Sequence, residues 1–223
     1  MSRTHAGRTA SALVAAALTL TTASAHAQYA APAGPDAPRA PAAVYGRGLE
    51  LRPFAGALLP TGAQRDLLQN AALVGAQLGW AVHPNVGLTG GFGWSPTKDR
   101  TTAAAGTRFF TGRGETVDLF QYDVGVEGRL PLAAAAGWTA TPYLGLGGGG
   151  RTYRYRDVDG VDGQTSPFGY GAVGVDLAPR TGALGVRLEA RDNVTAFRGL
   201  RGEYGDRTGR NDVQLGAGLT YRF

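Results

Sequence analysis

Ten charged residues share a spacing that could build a polar, ion-paired face. Within each short stretch they are separated by even numbers of positions, as in Arg187, Glu189 and Arg191. Side chains two residues apart on a β-strand point to the same side of the sheet. Five of the ten are acidic and five are basic. The ten residues are Glu50, Arg52, Asp123, Glu127, Arg129, Asp176, Arg187, Glu189, Arg191 and Arg222.

Such a balanced face is compatible with more than one chemistry. Enclosed charges carry a large desolvation penalty unless they are paired, so these side chains could form a plug of salt bridges and hydrogen bonds. The same residues could instead line a narrow path for water or ions. A ligand pocket at the mouth of the enclosure is the third interpretation.

Catalytic chemistry finds little support in the residue types. The chain has no Cys and three His residues, His5, His26 and His83, of which the first two fall in a predicted signal peptide. An acyl-enzyme mechanism requires a nucleophile beside a suitably placed base. His83 precedes Pro84 in a predicted short turn. We therefore predict a protein without enzymatic activity and without a cofactor.

One acidic segment has the composition of a cation-binding loop. Asp157, Asp159 and Asp162 alternate with glycines, and hard cations such as Ca²⁺ prefer closely spaced oxygen ligands. The closing Glu of an EF-hand is missing, because the twelfth position from Asp157 is Phe168. Turns are rich in Asp and Gly for backbone reasons alone, so an acidic surface loop is the favoured interpretation.

The C-terminal strand indicates which elements position these residues. Val213, Leu215, Ala217, Leu219, Tyr221 and Phe223 occupy one face, and polar or small residues occupy the other. An apolar face toward lipid and a polar face toward a lumen is the pattern of a transmembrane β-barrel strand. The same alternation recurs upstream. It predicts further strands at 48–58, 71–82, 86–95, 116–130, 140–155, 168–178 and 183–194.

The connections between these eight predicted strands alternate in length. Long ones fall at 59–70, 96–115, 156–167 and 195–210, and short ones at 83–85, 131–137 and 179–182. Outer-membrane barrels have long extracellular loops and short periplasmic turns. The alternation therefore predicts an all-β, eight-stranded, antiparallel up-and-down transmembrane barrel. Aromatic residues near strand ends predict interface girdles; these are Trp80, Trp94, Tyr143, Tyr153, Tyr155, Phe168, Tyr170, Tyr221 and Phe223.

The N-terminal segment predicts export. Basic Arg3 and Arg8 precede an eleven-residue apolar run, and Ala25-His26-Ala27 is a small-x-small cleavage site. The run is shorter than the roughly 20 residues of a transmembrane helix. We predict a signal peptide at 1–27, an Ala- and Pro-rich periplasmic leader at 28–47 and a barrel at 48–223. The net charge of +5 is spread along the chain, so no nucleic-acid partner is expected.

The segment 48–223 resembles the small eight-stranded outer-membrane barrels of the OmpA/OmpX type. The resemblance rests on the signal peptide, the strand count, the loop alternation and the terminal Tyr221-Arg222-Phe223. It implies that Tyr221 and Phe223 form an assembly signal read by the outer-membrane assembly machinery. It also implies contact with the lipid bilayer and lipopolysaccharide, as a monomer. The peptidoglycan-binding domain of full OmpA-like proteins is not expected.

These observations predict a non-enzymatic outer-membrane barrel with a structural or surface-interaction role. Four surface loops would project from a barrel filled by its own side chains. A narrow outer-membrane pore is the first alternative. A soluble, exported β-barrel or sandwich binder is the second.

Overall fold

The computed structural model describes residues 48–100, 115–133, 137–156, 163–195 and 209–223. Within these ranges the chain forms nine β-strands and a single 3-10 turn, Gly62–Gln64. The strands are β1 (Gly48–Thr61), β2 (Ala71–His83), β3 (Val86–Lys98), β4 (Thr116–Arg129), β5 (Leu132–Ala133), β6 (Trp138–Tyr155), β7 (Gln164–Pro179), β8 (Leu184–Thr195) and β9 (Arg210–Arg222). The predicted signal peptide and leader, 1–47, lie outside the described residues.

The strands form one closed antiparallel sheet. Each long strand pairs with its neighbour in sequence, β9 pairs with β1, and β4 pairs with β6. The two-residue β5 also pairs with β6 and continues the line of β4 beyond Pro131. The barrel therefore has eight strand positions around its wall. The predicted fold class, an eight-stranded antiparallel up-and-down barrel, is confirmed.

The register fixes the tilt of the strands. Followed from Leu51 through the partners on every strand in turn, the pairing returns to β1 at Thr61, ten residues further along. This stagger, with the usual strand spacing and rise, gives a tilt of about 40° to the barrel axis. A barrel of eight strands encloses only enough space for side chains.

The two faces of the sheet are reversed relative to a water-soluble protein. Large apolar side chains point outward, and Val124 and Leu146 are 70% and 68% exposed. Polar and charged side chains point inward, and Arg52 is 1% exposed. Each strand forms part of the wall, and its successive side chains point alternately outward and into the lumen, our term for the enclosed interior. No helix in the described part of the chain is long and apolar enough to cross a membrane.

Several strands extend beyond their predicted ends. β1 continues to Thr61, β3 continues to Lys98 and β7 begins at Gln164. The predicted connections at 59–70, 96–115 and 156–167 are correspondingly too long. Pro96 and Pro167, which the predicted connections included, both lie within ladders, opposite Asp118 and Gly150. A proline removes one backbone donor, which a strand paired on both sides can lose without ending.

Five of the nine predicted girdle aromatics point into the barrel instead. The side chains of all five are buried, and those of Tyr143 and Tyr170 lie against glycines of neighbouring strands. The five are Tyr143, Tyr153, Tyr155, Phe168 and Tyr170. Proximity to a strand end predicted their interface position, but the parity of their strands places them on the inner face. Outward rings near the ends include Trp80, Tyr221 and Phe223.

Small residues make room for two of these inward rings. A Cβ built on Gly174 would lie 2.2 Å from the Tyr143 hydroxyl oxygen and 2.3 Å from the Leu188 carbonyl oxygen. A Cβ on Gly147 would lie 2.5 Å from the Tyr170 hydroxyl oxygen. Contacts this short do not occur between real atoms, so both positions require glycine for the rings to lie flat against the wall.

We expect Gly174→Ala to lower the free energy of unfolding by about 1–3 kcal/mol, because the added methyl displaces Tyr143 and the neighbouring backbone. Gly171→Ala, on the same strand, is the matched control, since its nearest neighbouring atom would be 3.9 Å away. Urea unfolding of both variants in detergent micelles measures the difference. Equal midpoints for the two variants would contradict this account of the glycine.

Candidate functional site

The lower lumen, the half nearest Gly48 and Phe223, contains ion pairs that cross the barrel. Glu50 and Arg52 lie on β1, and Glu127 and Arg129 lie on β4, which is not a neighbour of β1. Arg52 Nη1 lies 3.2 Å from Glu127 Oε1, and Arg129 Nη2 lies 3.2 Å from Glu50 Oε2. Arg129 also pairs with Glu127 at 2.8 Å, and Arg52 pairs with Glu50. The four side chains tie opposite walls of the barrel together.

Side chains of β8 extend this cluster upward. Arg187 pairs with Glu127, with Asp176 at 3.0 Å and with Glu189 at 3.0 Å. Glu189 continues to Arg191 at 3.1 Å. Arg191 in turn pairs with Asp123 at 3.0 Å, and Arg222 reaches Glu50 at 3.4 Å. All ten charged residues singled out from the sequence are therefore brought into one connected network.

Aromatic rings complete the environment of two of these arginines. The Arg187 guanidinium carbon lies 3.7 Å from the centre of the Tyr143 ring, and that of Arg191 lies 3.9 Å from the Tyr170 ring. The Tyr143 hydroxyl donates a hydrogen bond to Glu189 Oε2 at 2.8 Å. Cation–π contacts strengthen where water is excluded, so these rings favour the charged guanidiniums inside the barrel.

The sequence interpretation missed a second buried ion pair higher in the lumen. Arg151 is completely buried, and its Nη2 donates to Asp212 Oδ1 at 3.0 Å and to Gln121 Oε1 at 3.1 Å. Asn193 also donates to Asp212, at 2.9 Å. Asp212 and Arg151 both lie on the polar faces of predicted strands, but neither was included among the ten lumen charges. Applying the same alternation to these two residues would have found the pair.

An apolar cluster lies above these polar layers, at the end of the barrel where the long connections leave. Its buried members are Leu58, Leu67, Leu68, Val117, Leu119, Tyr153 and Tyr155. The segment 62–70 contributes two of them by folding inward. Arg210 Nη1 donates to the Ala63 carbonyl at 2.9 Å, and Leu68 forms a β-bridge with Asp99. The predicted first surface loop is thus in part a cover over the barrel mouth.

A small cavity lies among the described side chains of the lumen. A cavity of about 30 Å³ lies beside Phe54, Gln77, Arg191 and Gln214. A buried water requires roughly 10–15 Å³ of such volume, so the cavity has room for one or two waters. The described lumen thus holds buried ion pairs between opposite walls and buried apolar side chains at its mouth.

The remaining candidate residues lie elsewhere. Tyr221 and Phe223 point outward, with ring centres 4.9 Å apart, and Phe223 is 75% exposed. Its backbone N–H donates to the Leu49 carbonyl at 3.1 Å, which closes the barrel between β9 and β1. Asp157, Asp159 and Asp162 lie outside the described residues. Among the described residues, no group of three or more metal-ligating side chains comes together.

Three solved structures illustrate the likeness to known proteins. Neisserial surface protein A is 16% identical, with 79% of this chain and 97% of that chain covered and a TM-score of 0.49. The N-terminal barrel domain of Pseudomonas aeruginosa OprF is 14% identical, with 78% and 98% covered and a TM-score of 0.41. Ail of Yersinia pestis is 13% identical, with 80% and 100% covered and a TM-score of 0.42. No protein-family model and no curated protein sequence matches the chain.

Proposed function

We propose that this chain is an integral protein of the bacterial outer membrane, with a structural or surface-interaction role and no catalytic activity. The outward wall supports the membrane assignment. On β9 every outward residue from Val213 to Phe223 is apolar. Ten residues of a strand tilted by about 40° rise about 25 Å along the axis, which is the height of the apolar band in outer-membrane barrels.

The lengths of the connections at the two rims of the barrel indicate which rim faces the cell exterior. Connections 62–70, 99–115, 156–163 and 196–209 leave one rim, and the short ones 84–85, 134–137 and 180–183 leave the other. Long connections face the cell exterior in outer-membrane barrels. The terminal Phe223 is then at the periplasmic interface, where we propose that the assembly machinery reads it together with Tyr221.

The main support for a non-conducting barrel, a platform that anchors surface loops, is the set of contacts inside the lumen. Ten charged residues pair across the lower interior, and an apolar cluster lies across the outer mouth. A pore would need a continuous polar path, whereas here the charges satisfy one another. The barrel then serves as a rigid anchor that holds four surface loops at the cell exterior, as a monomer in contact with lipid.

The residue positions give no support to a catalytic alternative. His83 is the one histidine among the described residues, and it lies at the rim with the short turns. Its Nδ1 accepts a hydrogen bond from the Asn85 backbone N–H at 3.2 Å. That contact stabilises the β2–β3 turn, so we assign His83 a structural role.

Conductance across a planar lipid bilayer tests the platform against the pore. We expect the folded mature barrel to insert without discrete conductance steps. Folding is checked in the same preparation by comparing unboiled with boiled samples on an SDS gel, since a closed barrel resists SDS until heated. Reproducible steps of one defined size would contradict the platform and favour the narrow pore. A chain that stays dissolved in buffer without detergent would favour a soluble binder.

A further inference from the structure

Charged side chains are rare on the outer wall of the barrel, and most of them lie together. The described strands and their immediate ends place five charges on the outward face: Lys98, Asp118, Arg154, Arg156 and Asp192. Four of the five belong to adjacent wall positions on β3, β4 and β6, at the rim with the long connections. We call these four the rim cluster. It contains three cations and one carboxylate.

The register brings the rim cluster into two neighbouring rows. Lys98 pairs with Thr116, whose carbonyl accepts a hydrogen bond from the Arg156 backbone N–H at 3.1 Å. Asp118 pairs with Arg154 in the next row. Arg156 donates to Asp118 through Nε at 3.1 Å and Nη2 at 2.7 Å, while its side chain stays 48% exposed. Asp118 therefore orients one cation and leaves the cluster with a surplus of positive charge.

Aromatic rings lie directly below the rim cluster on the same strands. Trp94 donates from Nε1 to Asp118 Oδ1 at 3.0 Å. Phe92 and Phe120 stack with ring centres 6.3 Å apart, and Tyr122 is the next outward residue of β4. Below these rings the wall is apolar. Aromatic rings beneath cations mark the level at which acyl chains meet polar head groups.

The rest of the same rim differs in chemistry. The last outward residues there are neutral on the other strands: Thr61, Ala72, Thr165, Val194 and Asn211. Asp192, the remaining outward charge, is acidic and lies on β8 between Ala190 and Val194. Among the described outward residues of the wall, the positive surplus therefore lies on one side of the barrel, next to the aromatic rings.

We propose that the rim cluster binds the phosphates of lipopolysaccharide, through its lipid A portion. Lys98, Arg154 and Arg156 contact the phosphate groups, because charge-assisted hydrogen bonds from guanidinium and ammonium groups are the strong contacts to phosphate. The aromatic rings contact the acyl chains below. This inference rests on the proposed outer-membrane orientation, which puts this rim in the outer leaflet.

Native mass spectrometry of the detergent-folded barrel, titrated with purified diphosphorylated lipid A, tests the site. We expect R154Q/R156Q to weaken binding about 25-fold, at about fivefold for each cation near an anionic surface. The matched control R180Q removes one charge from a half-exposed connection at the opposite rim, and should leave the affinity within about twofold. K98Q alone should lower the affinity for lipid A about fivefold.

Several outcomes would overturn the site. These are equal binding by wild type and R154Q/R156Q, a loss in R180Q equal to that in K98Q, or equally tight binding of phosphatidylglycerol. Displacement of lipid A by excess inorganic phosphate would identify a free-anion site and also overturn it. The SDS-gel heat shift is recorded for every variant. If the wild-type barrel shows the heat shift but binds lipid A no better than phosphatidylglycerol, only this inference fails. If the chain never inserts in lipid, the proposed function fails as well.

Discussion

Replacing Glu127 by Gln is expected to lower the free energy of unfolding of the barrel by about 3–5 kcal/mol, the usual cost of removing one partner from a buried ion pair. Glu127 contacts Arg52, Arg129 and Arg187, and all three guanidiniums are buried. The neutral amide leaves the lower lumen with one uncompensated positive charge among side chains that are buried from water.

Urea unfolding in lipid vesicles, followed by tryptophan fluorescence, measures this loss. Asp66→Asn is the matched control, because it removes the same charge from an exposed position in segment 62–70. The double variant R52Q/E127Q should recover part of the stability, since it restores the charge balance. Equal stability of E127Q and D66N would contradict the claim that the lumen charges are paired and shielded from water.

Strand alternation made most of the barrel predictable. The residues of β4 and β9 switch between apolar and polar with a period of two, and a slip of one residue would turn every charge of the lumen toward lipid. The inward position of all ten predicted charges follows from this local rule. The rule does not predict which charges pair, because Arg52 and Glu127 are 75 residues apart and meet only after the barrel closes.

Features without periodicity escaped prediction for physical reasons. Leu67 and Leu68 lie in a connection, where no repeating pattern marks their burial in the apolar cluster at the mouth. The inward rings of Tyr143 and Tyr170 depend on glycines of other strands that make room for them. Strand parity places both rings on the inner face, but the prediction used their aromatic character and nearness to a strand end, which suit a membrane interface equally well.

The assignment of the outer wall to lipid is the central claim, and Leu146 is the residue that tests it. It lies midway along β6, points outward and is 68% exposed. Arginine at the bilayer midplane on the lipid face of a barrel costs about 2–4 kcal/mol. Arginine on a surface in water changes stability by less than about 0.5 kcal/mol. The same substitution therefore has a different effect in the two environments.

The deciding measurement is the free energy of unfolding of Leu146→Arg in phospholipid vesicles, beside Thr165→Arg. Thr165 is exposed at the outer end of β7, above the apolar wall, and its hydroxyl shares a hydrogen bond of 2.8 Å with the hydroxyl of half-buried Thr152. We expect Leu146→Arg to lose about 2–4 kcal/mol and Thr165→Arg to stay within about 0.5 kcal/mol of the wild type. Small and equal effects for both variants would mean that the outer wall faces water, and would contradict a membrane-spanning barrel.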